Sequence, residues 1–323
     1  MKHPEAVMLD LSDDLELIER VILEKFRSRS ILLNAASSYL MQSGGKRMRA
    51  SLVLLAAHLG PRYNEQDVIH SATAIEMIHA ASLVHDDMID DADVRRGRNT
   101  VHNQWGSNVA LMVGDYLFAL ASGQMAEVDD RRIFKIFARA VQHICEAELS
   151  PVIDVEPIEQ ALEQYYAKIG GKTASLFESA AEAGMIAGGG TLQEVEVLRQ
   201  FGYEVGMAFQ IVDDVLDFTS DERTLGKPAG HDLQEGTITL PVIYAVADGA
   251  GNVVREAVKT YRPDAPLVAA AVDEVRRVGG TARAMKDAEQ LLHRAIARLE
   301  MFQDSPAKDG LIDLAMVVLQ RSM

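Results

Sequence analysis

The chain has 323 residues, 48% of them hydrophobic but only 6% aromatic, and a formal net charge of −16. That length is enough to bury a sizeable core. The acidic balance excludes the basic footprint that nucleic-acid binding requires, and a single cysteine, Cys145, excludes an intrachain disulfide.

Ala, Leu, Val and Glu recur at helical spacing throughout, which predicts an all-α protein forming one domain over 1–323. A first amphipathic helix is expected over 10–41, broken at Ser43-Gly44-Gly45, and a second from Lys46 to Gly60-Pro61. A long helix over 65–91 runs into a first acidic cluster, followed by the polar loop ADVRRGRNTVHNQWGS. Further helices are expected from Asn108 onward, then over 130–149, 157–187 and 191–219, the last ending at a second acidic cluster. The segment TSDERTLGKPAGHDLQEGTI reads as a long loop of the kind that usually carries function. Short helical patterns return over 238–322. Neither strand-like alternation nor an internal repeat is expected. The same holds for a membrane-length apolar run and a secretory signal. A soluble, cytoplasmic protein is the expectation.

The two acidic clusters share one spacing. DDMID holds Asp86, Asp87 and Asp90, and DDVLD holds Asp213, Asp214 and Asp217. On a helix, i and i+4 share a face, so Asp86 with Asp90 and Asp213 with Asp217 each form a two-carboxylate claw. Both claws fall near helix C-termini, where the dipole disfavours anions. Something positive must compensate them, and an oxygen-only set suits a hard cation such as Mg²⁺, which takes one or two carboxylates plus substrate phosphates. A solvated acidic face would explain one such cluster but not two with the same spacing and apolar approach. Zinc is not expected, since neither cluster has His/Cys ligand spacing.

Basic residues answer the acids. GGKRMRA puts Lys46, Arg47 and Arg49 at a helix N-terminus, where cations make sense if an anion binds; pairing with neighbouring carboxylates is the other explanation. Arg95, Arg96 and Arg98 follow the first cluster and suit bidentate phosphate contact, or serve as counter-charges to Asp91 and Asp93. IGGKTASLF is not a P-loop, because Tyr166 stands where that motif needs glycine, yet Lys172 with Thr173 remains a plausible phosphate pair. Lys227 lies in the long loop after the second claw, and His79 sits two turns before Asp86 on roughly the same face. Two claws, at least four basic groups and an apolar helical wall fit the diphosphate ester of a lipid.

GGKRMR, LVHDDMIDDADVRRGRNTVH, GDYLFA, GGKTASLF and FQIVDDVLDFTSDERTLGKPAGHDLQEGTITLP resemble, in order, the blocks of the trans-isoprenyl diphosphate synthases, most of all the long-chain polyprenyl synthases that make quinone side chains. The resemblance covers nearly the whole chain. It implies the all-α isoprenoid synthase bundle of ten or more helices around a deep central cavity, usually as a homodimer. It further implies that Asp86 and Asp90 bridge two Mg²⁺ while Asp213 holds a third with Asp217 nearby, and that Asp87 and Asp214 complete the catalytic clusters. Arg95, Lys172, Thr173, Gln210 and Lys227 would grip the allylic diphosphate, and Lys46, Arg49, His79 and Arg96 would hold isopentenyl diphosphate. One departure is visible: Ala50 replaces the proline that usually ends the first block, with little functional effect expected.

The implied reaction is head-to-tail condensation of the two diphosphates. Ala81 and Ser82, one turn below Asp86, are small where short-chain relatives often carry aromatics. Ile78 and Ile75, roughly 12 and 16 Å deeper at the helical rise, are not bulky enough to close a tunnel alone, which favours an all-trans product of about C30 to C50. Three alternatives stand beside this expectation. They are a geranylgeranyl synthase, a class I terpene cyclase, and a non-catalytic partner subunit. A cyclase would not need the second anion pocket and normally replaces the second DDxxD. A non-catalytic subunit would lose its aspartates, whereas this chain keeps all six.

Overall fold

Helix-forming sequence with caps at its breaks shapes the protein in this computed structural model, which describes residues 9–41, 45–95, 97–219 and 229–320. The order begins with α1 (Ser12–Lys25), α2 (Ile31–Met41), α3 (Met48–Leu59) and α4 (Glu65–Ile89). A two-stranded antiparallel hairpin, Val94–Arg95 with Arg98–Asn99, leads into α5 (Val101–Trp105), α6 (Ser107–Ala126) and α7 (Arg131–Glu148). Next come α8 (Ile158–Ile169), a single π-helical turn (Gly170–Ala174), α9 (Ser175–Ala187) and α10 (Leu192–Thr219). The described chain closes with α11 (His231–Gln234), α12 (Leu240–Ala247), α13 (Asn252–Lys259), α14 (Ala265–Val278), α15 (Gly280–Arg298) and α16 (Pro306–Gln320).

Two compact units form. The first gathers the described residues of Met1–Val141, Ser179–Arg199 and Met301–Leu311. Its axis is α4, started by the Asn64 side chain, which accepts the Asp67 amide. Every residue of α4 from Asp67 to Ile78 except His70 is buried, including the polar Asp67, Ser71, Thr73 and Glu76. It packs against α1, α3 and α6. The second unit gathers Gln142–Glu178, Gln200–Glu300 and the described residues of Ile312–Met323. There α12 lies against α8 and α15, and Tyr165, Phe177, Phe201 and Phe218 are almost completely buried.

Four sequence expectations need correction. The helix expected over 10–41 is two helices, because Asn34 folds back on the intervening turn: Ser28 donates its amide to Asn34 Oδ1 at 2.7 Å, and Asn34 Nδ2 donates to the Ser28 carbonyl at 2.8 Å. Ser30 then caps α2 through the Leu33 amide. The helix expected over 157–187 is interrupted at Gly170-Gly171 by the π turn. The polar loop after Asp91 contains the hairpin and α5, whose start is capped by Thr100. Finally, α6, at 20 residues, is long and apolar enough to cross a membrane. Its Ala110, Val113, Leu117 and Ala121 are buried in the first unit, whereas Leu111 and Met112 are exposed, so packing against α4 accounts for one face of it.

Candidate active site

The first cluster occupies the last turn of α4, where burial gives way to exposure. Asp87 is buried, Asp86 half-buried and Asp90 exposed. Arg95 Nε, on the hairpin, donates to Asp87 Oδ1 at 2.6 Å. Burial pushes the Asp87 carboxyl above its ordinary range, and the Arg95 charge and hydrogen bond pull against that shift. The middle aspartate is therefore tied to the protein, while its neighbours keep outward-facing surface.

His85, one residue before the cluster, fastens this end of α4 to α6. Its Nε2 lies 3.1 Å from the Leu111 carbonyl, which only accepts, so Nε2 carries the proton. The ring stacks at a tilt on Phe118, 5.8 Å between centroids. It fits because residue 114 is glycine: a Cβ there would stand 2.1 Å from His85 Nε2.

The GGKRMR segment divides its basic residues between scaffold and site. Arg47 takes a left-handed backbone (φ 47°), and its side chain reaches Glu19 at 3.1 Å and buried Glu76 at 3.2 Å. The other Glu76 oxygen accepts the Ala50 amide at 3.2 Å. Proline at position 50 would lack that N–H, which gives the departure at Ala50 a physical setting. Lys46 is exposed and Arg49 half-buried. His79 is half-buried, and its carbonyl accepts the Ser82 hydroxyl at 2.9 Å. Among the chain-length candidates, Ala81 and Ile78 are fully buried, and Ser82 keeps some exposure.

The second cluster lies on the last turns of α10. Asp213 is exposed, whereas Asp214 and Asp217 are buried. Tyr165 donates its hydroxyl to Asp214 Oδ2 at 2.6 Å, and Gln210 Nε2 donates to Oδ1 at 2.8 Å. Burial, joined by the charges of Asp232 and Asp213, pushes the Asp214 carboxyl well up against the pull of those two bonds. Asp217 accepts the Asp232 amide on Oδ2 at 3.2 Å and the Gly230 amide on its carbonyl at 2.9 Å. That placement makes Asp213 the outward carboxylate of this cluster and Asp217 a brace for the turn at 230–232.

Lys172 and Thr173 sit in the π turn, an element often found at functional sites. Lys172 Nζ lies 2.6 Å from Glu148 Oε2, and Thr173 donates its hydroxyl to Gln210 Oε1 at 2.7 Å. The structure thus joins Lys172, Thr173, Gln210 and Asp214 in the second unit, and Asp86, Asp87, Asp90 and Arg95 in the first. Arg96 and Lys227 lie outside the described residues. Among the described residues, no three His, Cys, Asp or Glu side chains form a closed metal cage. Outward oxygen ligands of this kind suit a hard cation completed by phosphate oxygens. Sequence reading passed over His85, Tyr165 and Glu148. The spacing of seven residues between Tyr165 and Lys172, two helical turns, was the available signal.

A helical scaffold with two DDxxD clusters, one tied to Arg95 and the other to Tyr165 and Gln210, defines the isoprenoid-synthase class. The chain matches the polyprenyl synthetase family model over residues 30–275 and belongs to that family of prenyl-chain-elongating enzymes. It is 39% identical to heptaprenyl diphosphate synthase component 2 of Geobacillus stearothermophilus over 96% of this chain and 97% of the relative. It is 33% identical to octaprenyl diphosphate synthase of Escherichia coli over 96% of each. A crystal structure of polyprenyl synthase from Caulobacter crescentus complexed with calcium and isoprenyl diphosphate superposes with a TM-score of 0.91 at 31% identity, covering 97% of this chain and 96% of the other.

Proposed function

We propose that this enzyme condenses isopentenyl diphosphate head-to-tail with an allylic diphosphate to build a long all-trans polyprenyl diphosphate, releasing diphosphate. One observation carries the site assignment: in each cluster the middle aspartate is buried and bonded to the protein, while Asp86 and Asp90 in the first and Asp213 in the second keep outward-facing surface. Asp86, Asp90 and Asp213 then hold Mg²⁺, with Asp217 in support. When bound, the metal supplies positive charge that stabilises the leaving diphosphate. The divalent cation and isoprenyl diphosphate bound to the Caulobacter relative support that reading.

The chain's own groups do the rest. Arg95, Lys172, Thr173, Gln210 and Lys227 orient the allylic diphosphate and compensate charge as its C–O bond breaks. Lys46, Arg49, His79 and Arg96 hold isopentenyl diphosphate so that its double bond attacks the allylic carbon. The allylic C–O bond breaks first, its electrons leaving with diphosphate; the isopentenyl double bond then forms the new C–C bond to the allylic cation, and a proton passes to the departed diphosphate. Apolar helix faces exclude water that would quench the cation. The hepta- and octaprenyl names of the relatives support a product longer than C20. A homodimer in the cytoplasm, serving quinone side-chain synthesis, is part of the same proposal.

A second reading has its own observation. The relative at 39% identity is named as one component of its synthase, which favours a two-chain enzyme of which this is the catalytic chain. One experiment separates the readings: purified protein with Mg²⁺, farnesyl diphosphate and labelled isopentenyl diphosphate, with products resolved by chain length. A ladder ending at one long species supports the single-chain synthase. Arrest at C20 makes it a geranylgeranyl synthase, and no incorporation by the chain alone favours the two-component reading. Cyclic hydrocarbon from farnesyl diphosphate alone would overturn the synthase assignment.

A further inference from the structure

Tyr165 is 1% exposed and hydrogen-bonds directly to none of the described groups assigned to substrate, yet it begins a hydrogen-bond chain that ends on one. Its hydroxyl meets Asp214 Oδ2 at 2.6 Å. The other carboxylate oxygen meets Gln210 Nε2 at 2.8 Å, and Gln210 Oε1 meets the Thr173 hydroxyl at 2.7 Å. The hydrogen bonds give this chain its polarity: Gln210 turns its NH₂ toward Asp214 and its oxygen toward Thr173. Thr173 has one hydroxyl proton, and the Gln210 oxygen takes it. What Thr173 presents elsewhere is lone pairs only.

There is little slack along the way. Thr173 belongs to the π turn, and Gly206, one helical turn before Gln210 on α10, lies so close that a Cβ there would stand 2.6 Å from the Ala174 Cα. Glu148 meets the neighbouring Lys172 ammonium at 2.6 Å. The turn thereby sets an acceptor beside a donor: Thr173 receives a hydrogen bond, and Lys172 gives one.

We propose that Tyr165 is a positioning residue for the prenyl-transfer site: by holding Asp214 it fixes the Gln210 amide and commits the Thr173 proton inward, so that Thr173 acts on substrate only as an acceptor. This deepens the reading in which Lys172 and Thr173 touch the allylic substrate, and it rests on that reading. Loss of the Tyr165 hydroxyl leaves Asp214 with one donor fewer and lets the amide and hydroxyl reorient.

The test is a double-mutant cycle of Tyr165→Phe and Thr173→Val, read as kcat and KM for both diphosphates with thermal midpoints alongside. Removing one charge-assisted bond in the chain should lower kcat about tenfold in Y165F, with KM for isopentenyl diphosphate changed less than about twofold. T173V should be impaired at least as much, and the double variant no worse than T173V alone, because one relay cannot be broken twice. Thr173→Ser, which keeps the hydroxyl, should restore activity and dependence on Tyr165. Multiplying losses in the double variant, or wild-type kinetics in Y165F, would overturn the relay while leaving the site assignment standing. Wild-type kinetics in T173V would instead remove Thr173 from the site, and the proposal with it. Should Y165F not fold, Asp214→Asn keeps the shape and the Tyr165 bond but lets the 210 amide turn, and the same non-additivity with T173V is expected.

Discussion

The two aspartate clusters have the same spelling and different physical solutions. In the first, the buried middle carboxylate of Asp87 is answered by a cation, Arg95, from a hairpin that is itself exposed. In the second, the buried Asp214 is answered by two neutral donors, the buried Tyr165 and the half-buried Gln210. The flanking residues diverge too: Asp90 is exposed, while its counterpart Asp217 is buried and braces a turn. A salt bridge to an exposed arginine can be traded for another anion as substrate arrives. A network of neutral donors cannot be traded so cheaply, because each buried group left unpaired carries its full desolvation cost. The first cluster is built to exchange partners and the second to stay in place.

The largest expected effect sharpens the common feature. Asp86→Ala and Asp213→Ala, each removing an outward carboxylate, should cut turnover by about two to three orders of magnitude with circular dichroism unchanged. Near-normal turnover in either would remove that cluster from the metal site. The next comparison concerns the braces. A Cβ on Gly206 meets the Ala174 backbone at 2.6 Å, whereas one on Gly114 meets the His85 ring at 2.1 Å. A ring can swing aside and a helix backbone cannot. Gly206→Ala should therefore destabilise by about 3 kcal/mol and Gly114→Ala by about 1–2 kcal/mol, measured by chemical denaturation. The reverse order would show the first cluster to be the rigid one.

A smaller effect concerns product length. Ser82 keeps some exposure beneath the first cluster while Ala81 is fully buried. Ser82→Phe should shorten the product with stability retained, and Ala81→Phe should lower the thermal midpoint first. An unchanged product distribution from a folded Ser82→Phe enzyme would place the tunnel elsewhere.

The smallest is a dependence on pH. Burial holds the Asp214 carboxyl above its unfolded value, so folding favours its protonated form. Stability from this group is present below the ordinary carboxylate pKa of about 4 and is lost as pH rises toward the elevated folded value. Subtracting the thermal midpoints of Asp214→Asn from those of the wild type should give a difference that falls with rising pH. Asp87→Asn should give a shallower slope, because Arg95 opposes the shift there. Equal slopes would mean that Arg95 and the neutral donors compensate alike.

Much of this was legible in the chain. Helical spacing gave the all-α architecture and the repeated DDxxD gave both clusters, whereas the π turn at Gly170-Gly171 interrupts a helix expected to run unbroken over 157–187. The break between α1 and α2 was written in Ser28, Ser30 and Asn34, but that side-chain capping is a weak signal inside an otherwise continuous amphipathic pattern. The identity of Arg47 as a scaffold residue was hidden, because a basic run looks the same whether it meets phosphate or Glu19 and Glu76.

Local sequence determined which residues are helical and which faces are apolar, since both follow from interactions three or four residues apart. Only the tertiary structure decided how deeply each aspartate is buried and what it bonds to. Arg95, eight residues from Asp87, and Tyr165, forty-nine from Asp214, come from other elements, and only Gln210 shares a helix with its aspartate. Burial, hydrogen bonding and the resulting pKa shifts are properties of that assembled environment, and a five-residue motif cannot encode them.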